Sequence, residues 1–393
     1  MTIPVKKIST FCKTGSGGTP SRSNNAFFEN GTIPWVKSGE LKNRYITEVE
    51  EYITDLAVEK SSAKLVSKGS LLIAMYGATV GEVSQLAFDA TTNQAICNIQ
   101  PDENVCDVNY LYRFLEASKP YLLSRRVGGG QPNISQGVIK DLEVPLPPLS
   151  EQRRIAAILD QADELRQKRQ QAIEKLDHLL QATFIDMFGD PVSNPKGFEV
   201  KKLSEQVDLI QIGPFGTQLH QEDYIENGIP LINPSHIKNG KIIPNHKLTV
   251  SQSKYEELTQ YHLRLNDVLL GRRGEMGRCA VVTENEVGWL CGTGSLFLRP
   301  NLEKINPFFL ELLLSSYSIK RYLENVSQGQ TMANLNKTIV GSIPLISPSI
   351  EIQNKFFLIA EKIDKMKTEL KSAKNQVNNL FSSLQNQAFN GTL

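Results

Sequence analysis

The sequence predicts a mixed α+β protein in which two globular units, related by a pseudo-twofold axis, are separated by two long antiparallel coiled-coil helices. Three observations support this prediction. The chain of 393 residues repeats itself at an offset of about half its length. Each copy ends in a segment that has no proline and no internal glycine. Apolar residues in those segments recur at the spacing of a coiled coil.

The repeat sets the predicted domain boundaries. Matching segments are Val5–Ile8 with Val200–Leu203, Asn30–Val36 with Asn227–Ile232, and Gly130-Gln131 then Val144–Leu146 with Gly329-Gln330 then Ile343–Leu345. Glu151 and Glu351 open the two final segments. We therefore expect a first globular unit over 1–149, a long helix over 150–190, a second globular unit over 191–348 and a C-terminal long helix over 349–393.

Short runs of β-branched residues between turn signals predict sheet and loop in each globular unit. Leu65–Ala74 and Val268–Leu270 are typical of buried strands. Asn109–Ser124 and Pro307–Asn325 are typical of short amphipathic helices.

Ser150 and Ser349 are candidate N-caps for the long helices. In the C-terminal segment the predicted seam consists of Ile352, Phe356, Ile359, Ile363, Met366, Leu370, Ala373, Val377, Leu380 and Leu384. In the central segment it consists of Ile155, Ile158, Ala162, Leu165, Ala172, Leu176 and Leu179, interrupted by Arg169. Because so narrow a seam cannot be kept from water by one helix, we expect the two helices to pack on each other. Each would span about 57 Å at 1.5 Å per residue.

Composition excludes several classes of protein. Hydrophobic residues make up 40% and charged residues 22%, as in globular proteins, and no apolar stretch is long enough for a transmembrane helix. The N-terminus has no apolar core behind its lysines, so a signal peptide is not expected. The five cysteines are scattered and have no metal-binding spacing, which indicates reduced thiols in the cytoplasm and no zinc site. The net charge of +1 means that any binding of nucleic acid depends on local basic clusters.

The densest basic cluster is Gly271–Arg278, in which Arg272, Arg273 and Arg278 follow a predicted buried strand. Arginines on such a loop can meet phosphates or guanine edges, although a solvated turn would have the same composition. The corresponding Met75–Gly81 carries no charge. Either the first unit contacts DNA there through Tyr76 and Thr79, or the loop is structural in both units.

A second cluster precedes the end of the first unit. Arg125, Arg126, Gln131 and Asn133 surround a run of glycines, and Gln330 occupies the matching stretch of the second copy. Amide side chains suit adenine edges, and bare glycine backbone permits close approach to phosphates. A flexible turn is the alternative.

Asn233–His236 resembles the short motif of adenine methyltransferases only in its first two residues, and no glycine-rich cofactor loop accompanies it. Since it is the counterpart of Lys37–Gly39, we interpret both as polar loops that face DNA. The candidate contacts there are Lys37, Ser38, Asn233, Ser235 and His236. The histidines have neither metal nor catalytic-triad spacing, so an enzyme is not expected.

Ile33–Leu41, and Gly130–Ser135 followed by Val144–Ala156, resemble the specificity (S) subunit of Type I restriction-modification systems. The resemblance covers the whole chain. It implies a subunit without catalytic chemistry, in which each globular unit is a target-recognition domain that reads one half of a bipartite DNA sequence and the helix pair sets the spacer. It also implies two methyltransferase (M) subunits, which use S-adenosylmethionine that this chain does not bind, and separate restriction and translocase (R) subunits.

The second copy departs from the family pattern, because Ser349–Ile352 lacks the run Gln152-Arg153-Arg154 of the first. Ile173, Leu180 and Phe184 lie off the predicted seam, and we expect this additional apolar face to dock partner helices. The alternative function is a two-domain coiled-coil scaffold that binds no DNA, which the near-neutral charge favours. A nucleic-acid enzyme with built-in recognition domains lacks any catalytic motif.

Overall fold

The computed structural model describes residues 3–126, 133–272, 277–327 and 335–393, which divide into two units with separate cores. Unit 1 comprises Met1–Gln171 and Lys371–Leu393, and unit 2 comprises Ala172–Leu370. Each unit thus contains one globular half of the chain together with part of both long helices. The predicted boundaries follow the change in sequence texture, whereas the units divide the chain within the helices.

Unit 1 is built on two mixed sheets and a small antiparallel pair. Its strands are β1 (Val5–Lys7), β2 (Cys12–Ser16), β3 (Ile33–Val36), β4 (Tyr45–Ile46), β5 (Tyr52–Ile53), β6 (Leu65–Val66), β7 (Leu71–Ala74), β8 (Val83–Leu86), β9 (Ala90–Thr92), β10 (Ile96–Pro101) and β11 (Glu143–Pro145). Its helices are α1 (Asp55–Lys60), α2 (Val108–Ala117), α3 (Lys119–Ser124), α4 (Gln136–Lys140) and the first part of α5 (Leu149–Phe188).

One sheet of unit 1 has the order β2-β10-β7-β8-β4 and the other has the order β5-β3-β9-β6, while β1 pairs with β11. All four residues of β7 are buried, since helices and the second sheet cover it on both faces. Its inner face packs against α2, α3 and the long helices in one continuous core.

Unit 2 has a similar plan, but its first sheet has four strands, all antiparallel, and Ile237–Lys238 and Lys241–Ile242 form an additional two-stranded sheet. Its strands are β12 (Val200–Lys202), β13 (Val207–Ile212), β14 (Tyr224–Ile225), β15 (Ile229–Ile232), β16 (Ile237–Lys238), β17 (Lys241–Ile242), β18 (Thr249–Val250), β19 (Val268–Gly271), β20 (Cys279–Val281), β21 (Leu290–Cys291), β22 (Ser295–Pro300) and β23 (Pro344–Ile346). Its helices are α6 (Leu203–Gln206), α7 (Gln252–Glu257), α8 (Pro307–Ser315), α9 (Tyr317–Ser327), α10 (Lys337–Gly341) and the first part of α11 (Ile350–Asn390).

The sheets of unit 2 have the orders β13-β22-β19-β20 and β14-β18-β15-β21, and β12 pairs with β23 as β1 pairs with β11. The turn before β3 and the turn before β15 both place an asparagine, Asn30 and Asn227, at φ 57°. Asparagine tolerates this left-handed conformation better than most residues. The predicted duplication is therefore confirmed at the level of single turns.

Both long helices form, and within each unit they run antiparallel. In unit 1, Nε of Arg166 donates a hydrogen bond to Oδ1 of Asn378 at 3.1 Å. Arg154, earlier in α5, donates a hydrogen bond to the carbonyl of Leu393, which follows α11. In unit 2, the rings of Phe184 and Phe356 have centroids 5.6 Å apart. The predicted long helices and their antiparallel pairing are thus confirmed.

The predicted seam of α11 is only half correct. Phe356, Ile363 and Val377 are buried, but Ile359, Met366 and Leu380 are 38%, 43% and 55% exposed. The buried line keeps alternating steps of four and three residues, but it passes through Ala360, Lys367, Lys374, Phe381 and Ala388 instead. A count of apolar residues overlooks lysines, whose long apolar stems can pack in a seam while their ammonium groups reach polar partners.

Those polar partners are present. Nζ of Lys374 donates to Gln170 at 2.6 Å in unit 1, and Nζ of Lys367 donates to Asp177 in unit 2. The predicted seam of α5 is shifted in the same way, since Leu165 and Leu179 are exposed whereas Leu159 and Ile173 are buried.

Three further predictions of local structure are wrong in detail. The predicted strand Leu65–Ala74 is interrupted by a turn at Gly69, whose φ of 85° suits glycine. Each predicted amphipathic helix is divided into two. Asn109–Ser124 is divided at Ser118, two residues before Pro120, and Pro307–Asn325 is divided at Ser316, whose backbone is extended. Ser150 is the second residue of α5 and not its cap, whereas Ser349 directly precedes α11.

The strand pairing also corrects the matching of the two copies. Val5 pairs with Pro145, and its counterpart Val200 pairs with Ile346. The sequence match had placed Pro344, two residues earlier, at the position of Pro145. The offset in this part of the chain is therefore two residues larger than the repeat of Val144–Leu146 indicated. In the described part of the chain, no helix is both long and apolar enough to cross a membrane.

Candidate nucleic-acid interface

Three loops of unit 1 meet at one place. They are the loop after β3, the loop after β7 and the segment that leads into α4. The hydroxyl of Thr79 donates to the carbonyl of Ser38 at 2.8 Å, and Tyr76 forms an isolated antiparallel bridge with Asn133. The N–H of Ile134 also donates to the carbonyl of Met75 at 2.7 Å. The structure thus brings four predicted contacts together, namely Ser38, Tyr76, Thr79 and Asn133.

These side chains are accessible to different degrees. Asn133 is exposed, while Ser38, Tyr76 and Thr79 are half-buried. Burial raises the pKa of Tyr76, so its hydroxyl is neutral and can donate a hydrogen bond. We refer to Ser38, Tyr76, Thr79 and Asn133 as the unit 1 loop cluster.

Two exposed arginines stand at the end of α3, just before the glycine-rich stretch. The guanidinium of Arg125 lies 5.1 Å from the ring centre of Tyr121, and Nε of Arg126 donates to the carbonyl of Leu123 at 2.8 Å. Both side chains remain open to solvent and so to a phosphate. Gln131 lies outside the described residues.

Lys37 is not a free cation. Its ammonium lies 2.8 Å from Glu50 and 2.9 Å from Glu51, and hydrogen bonds to Glu50 and then Glu51 raise its pKa. A lysine that neutralises two carboxylates offers less charge to a phosphate, and these ion pairs join the loop after β3 to Glu50 and Glu51. Its contact with DNA stays a prediction.

Unit 2 brings the corresponding loops together. Oδ1 of Asn233 accepts the N–H of Gly294 at 3.3 Å, and a Cβ on Gly271 would lie 3.2 Å from Pro234. The N–H of Leu335, just before α10, donates to the carbonyl of Arg272 at 3.2 Å. Ser235 is exposed and Arg278 is half-buried. Arg273 and Gln330 lie outside the described residues.

Two candidates of unit 2 face inward. Arg272 is 7% exposed and its Nε donates to the carbonyl of Leu335 at 2.8 Å, in the position that buried Met75 occupies in unit 1. His236 is 5% exposed, its Nδ1 lies 3.4 Å from the N–H of Asn233, and burial lowers its pKa. Both side chains thus make hydrogen bonds within the loops, and their contact with DNA stays a prediction.

The sequence did not reveal how each globular part is attached to the long helices. In unit 1 the attachment includes ion pairs, beside ring contacts of Tyr110 and Phe114 on α2 with Phe389 on α11. Arg113 is 1% exposed and donates to Asp160 at 2.8 Å and to Asp163 at 3.2 Å, both on α5. Arg44 donates to the same Asp160 at 2.7 Å, and Arg166 bonds Asp163 at 3.1 Å. We call these five side chains the unit 1 ion network.

In unit 2 the attachment is aromatic. Phe188 is completely buried, with ring centres 4.7 Å from Phe309 of α8 and 5.5 Å from Phe356 of α11. Phe184 completes the group at 5.2 Å from Phe188. We call these four rings the unit 2 aromatic cluster. The phenylalanines at 184 and 188 are visible in the sequence, but their partners on α8 are distant in the chain.

This packing affects the predicted docking face. Ile173 is buried, and Leu180 and Phe184 pack against the core of unit 2. We expected these three side chains to lie outside the packing within the chain, and this is wrong. Their contact with a partner stays a prediction. Apolar side chains of the long helices that are open to solvent include Leu165, Leu179, Ile185, Leu358, Ile359, Met366 and Leu380.

No cluster of metal-ligating side chains occurs in the described part of the chain. The cysteines there are unpaired, and burial raises the pKa of Cys12 and of Cys97 to about 12. These two thiols are protonated near neutral pH and are therefore poor nucleophiles.

Comparisons with known proteins agree on one family. The Type I restriction modification DNA specificity domain matches twice, over residues 2–175 and 195–379. The type I restriction enzyme MjaIX specificity subunit of Methanocaldococcus jannaschii is 30% identical over 260 residues, which cover 61% of this chain and 59% of that protein. The EcoR124I/EcoR124II specificity subunit of Escherichia coli is 32% identical over 42% of this chain and 41% of that protein. These alignments span less than two thirds of either relative.

A third relative aligns over a longer range. The MjaVIII specificity subunit of Methanocaldococcus jannaschii is 25% identical over 87% of this chain and 86% of that protein. Among solved structures, the S subunit of a Type-I restriction-modification system from M. genitalium covers 99% of both chains at 17% identity with a TM-score of 0.59. A structure from work on assembly of the type I R-M system covers 100% of both chains at 18% identity, with a TM-score of 0.64. The chain belongs to the Type I restriction modification DNA specificity family and carries two copies of its domain.

Proposed function

We propose that this chain is the sequence-specific DNA-binding subunit of a Type I restriction-modification complex. The observation that carries the proposal is the double match to the specificity domain, which coincides with the two globular parts. The convergence of the same three loops in both units supports it, because two similar reading surfaces suit a target with two halves. Each unit reads one half, and the helix pair sets the spacer.

Exposed polar groups near these loops have chemistry that suits DNA. In unit 1 they are Asn133, Arg125 and Arg126, together with the half-buried members of the unit 1 loop cluster. In unit 2 Ser235 is exposed, and the half-buried Arg278 is a further candidate. Arginines would meet phosphates or guanine edges, and amides would pair with adenine edges. With a net charge of +1, the chain has little general attraction for DNA and relies on partners for part of the affinity.

The chemistry of the complex would reside elsewhere. We infer that two methyltransferase subunits hold S-adenosylmethionine and methylate adenine, and that restriction and translocase subunits cut unmodified DNA. This chain would then act in the cytoplasm as a non-catalytic specificity subunit. The exposed apolar residues of the long helices, such as Leu179 and Leu380, are candidate contacts for those partners.

The test is a map of methylated adenines in cells that express this chain together with its cognate methyltransferase subunit. We expect one motif with two specific halves and a fixed gap. Replacing residues 1–149 by the first unit of another family member should change one half only. No motif from a complex that is verified as assembled would favour the scaffold alternative, and a change in both halves would refute the assignment of one unit to each half.

A further inference from the structure

A buried glutamine occupies the first turn of α5. Gln152 is 1% exposed, and its side-chain amide makes three hydrogen bonds to backbone groups. Oε1 accepts the N–H of Asp107 at 2.8 Å, and Nε2 donates to the carbonyls of Val105 at 3.0 Å and Pro147 at 2.8 Å. Asp107 is the N-cap residue of α2. The amide therefore joins the long helix directly to the globular part of unit 1.

The same arrangement occurs in unit 2. Gln353, in the first turn of α11, is 1% exposed and accepts the N–H of Asn306 at 2.8 Å. Its Nε2 donates to the carbonyls of Lys304 at 3.2 Å and Pro348 at 2.9 Å. Asn306 is the N-cap residue of α8. The second copy lacks the two arginines that follow Gln152, but it retains the glutamine that makes these contacts.

Only an amide side chain can satisfy all three backbone groups. It presents an acceptor and two donors in one plane, whereas a carboxylate presents acceptors alone and a methionine presents neither. A glutamate would place its charge beside two carbonyl oxygens, and neither oxygen would then have its donor. Because the amide bonds an equivalent set of three backbone groups in each unit, this contact is a feature that both units share.

We propose that Gln152 and Gln353 are positioning residues that fix the angle at which each globular unit is held on its long helix, and thereby the spacer that the protein accepts. The inference rests on the proposed function. A change of one base pair in the spacer moves a half-site by about 3.4 Å along the helix axis and turns it by roughly 34–36°. To discriminate against that change, each reading surface must be held at a fixed angle, and three bonds from one planar group provide this.

The experiment uses the full chain assembled with its methyltransferase subunit. Methylation rates are measured on duplexes whose mapped half-sites are separated by the native gap or by one base pair more or less. The variants are Gln152→Glu and Gln353→Glu. Gln161→Glu and Gln376→Glu make the same chemical change at exposed positions of the same two helices and serve as matched controls.

We expect the preference of the wild-type complex for the native gap to fall at least about tenfold in Gln152→Glu and in Gln353→Glu, a change of about 1.4 kcal/mol in the relative activation free energy for methylation. The control variants should retain the wild-type preference. A reduced activity in which the rates on all three gaps fall by the same factor would indicate a merely structural role and would overturn the inference.

The proposed function and the positioning role of the two glutamines can fail separately. If the wild-type complex shows no bipartite target, the proposed function fails. If it shows one and the variants at Gln152 and Gln353 keep its gap preference, only the positioning role fails. Should a glutamate variant not assemble, Gln152→Met and Gln353→Met remove the hydrogen bonds without adding charge, and the same ratio of rates decides.

Discussion

The unit 1 ion network should behave as one cooperative group. Arg113→Met keeps an unbranched apolar stem but removes the bonds of the guanidinium to Asp160, Asp163 and Glu116. Each aspartate then keeps one arginine, because Arg44 remains 2.7 Å from Asp160 and Arg166 remains 3.1 Å from Asp163. Hydrogen bonds to charged groups contribute about 1.5–3 kcal/mol, so we expect this variant to lower the free energy of unfolding of unit 1 by about 2 kcal/mol.

The double variant Arg44→Met/Arg113→Met should cost more than the sum of its parts. It leaves Asp160, whose side chain is 35% exposed, without either of its arginine partners. Breaking a buried ion pair costs about 3–5 kcal/mol, and the partial exposure of Asp160 places the effect at the lower end of that range. We expect the effect of removing both arginines to exceed the sum of the single effects by at least about 1 kcal/mol.

The two tryptophans make the measurement specific. Trp35 is 2% exposed in unit 1, and Trp289 is the tryptophan of unit 2. Urea unfolding is followed by fluorescence in a Trp289→Phe background, where Trp35 reports on unit 1 alone. The exposed Arg125→Met, in the same unit, is the control and should change stability by less than about 0.5 kcal/mol. Additivity of the two arginine substitutions within about 0.5 kcal/mol would refute the cooperative network.

Three further predictions concern unit 2 and the DNA contacts. Phe356→Ala, which opens a cavity in the aromatic cluster, should lower the stability reported by Trp289 fluorescence by about 3–5 kcal/mol. Burial raises the pKa of Glu311 to about 7. The protonated carboxyl of Glu311 therefore stabilises the folded state fully below about pH 4.5, and this contribution, no more than about 3 kcal/mol, is lost as the pH rises through about 7. Urea titrations at pH 5 and pH 8 measure the loss, and Glu311→Gln should remove it. Arg125→Ala with Arg126→Ala should weaken DNA binding by the assembled complex and reduce the slope of log K against log salt by roughly 0.9 for each phosphate that the arginines no longer neutralise.

Each of these has a control that separates it from general damage. Leu358→Ala, at a position 54% exposed, should change stability little. Glu257→Gln, at an exposed carboxylate of unit 2, should leave the pH dependence unchanged. Lys7→Ala removes a lysine already paired with Asp141, so it should leave the salt slope unchanged. An equal effect of control and test variant would contradict the corresponding prediction.

The sequence alone determined the plan of the protein. The repeat, the absence of helix-breaking residues from 151 to 188, and the heptad-like spacing are local or periodic signals, and each depends on the residue types themselves. They correctly predicted two related α+β units and two long helices. The three loops that meet in each unit were also identified, because glycine and polar residues that follow buried strands mark exposed turns.

Tertiary structure decided which side chain does what within that plan. Arg272 belongs to the densest basic cluster of the sequence. In the structure it occupies the position that buried Met75 has in unit 1, and it donates a hydrogen bond to a backbone carbonyl. Lys374 is absent from the predicted apolar seam, but its side chain lies in the seam between the helices. In the sequence, Gln152 and Gln353 are only polar residues near the start of a helix. In the structure they bond Asp107 and Asn306, which lie more than 40 residues earlier in the chain. Burial and hydrogen bonding depend on neighbours that are distant in sequence, so residue type and periodicity cannot specify them.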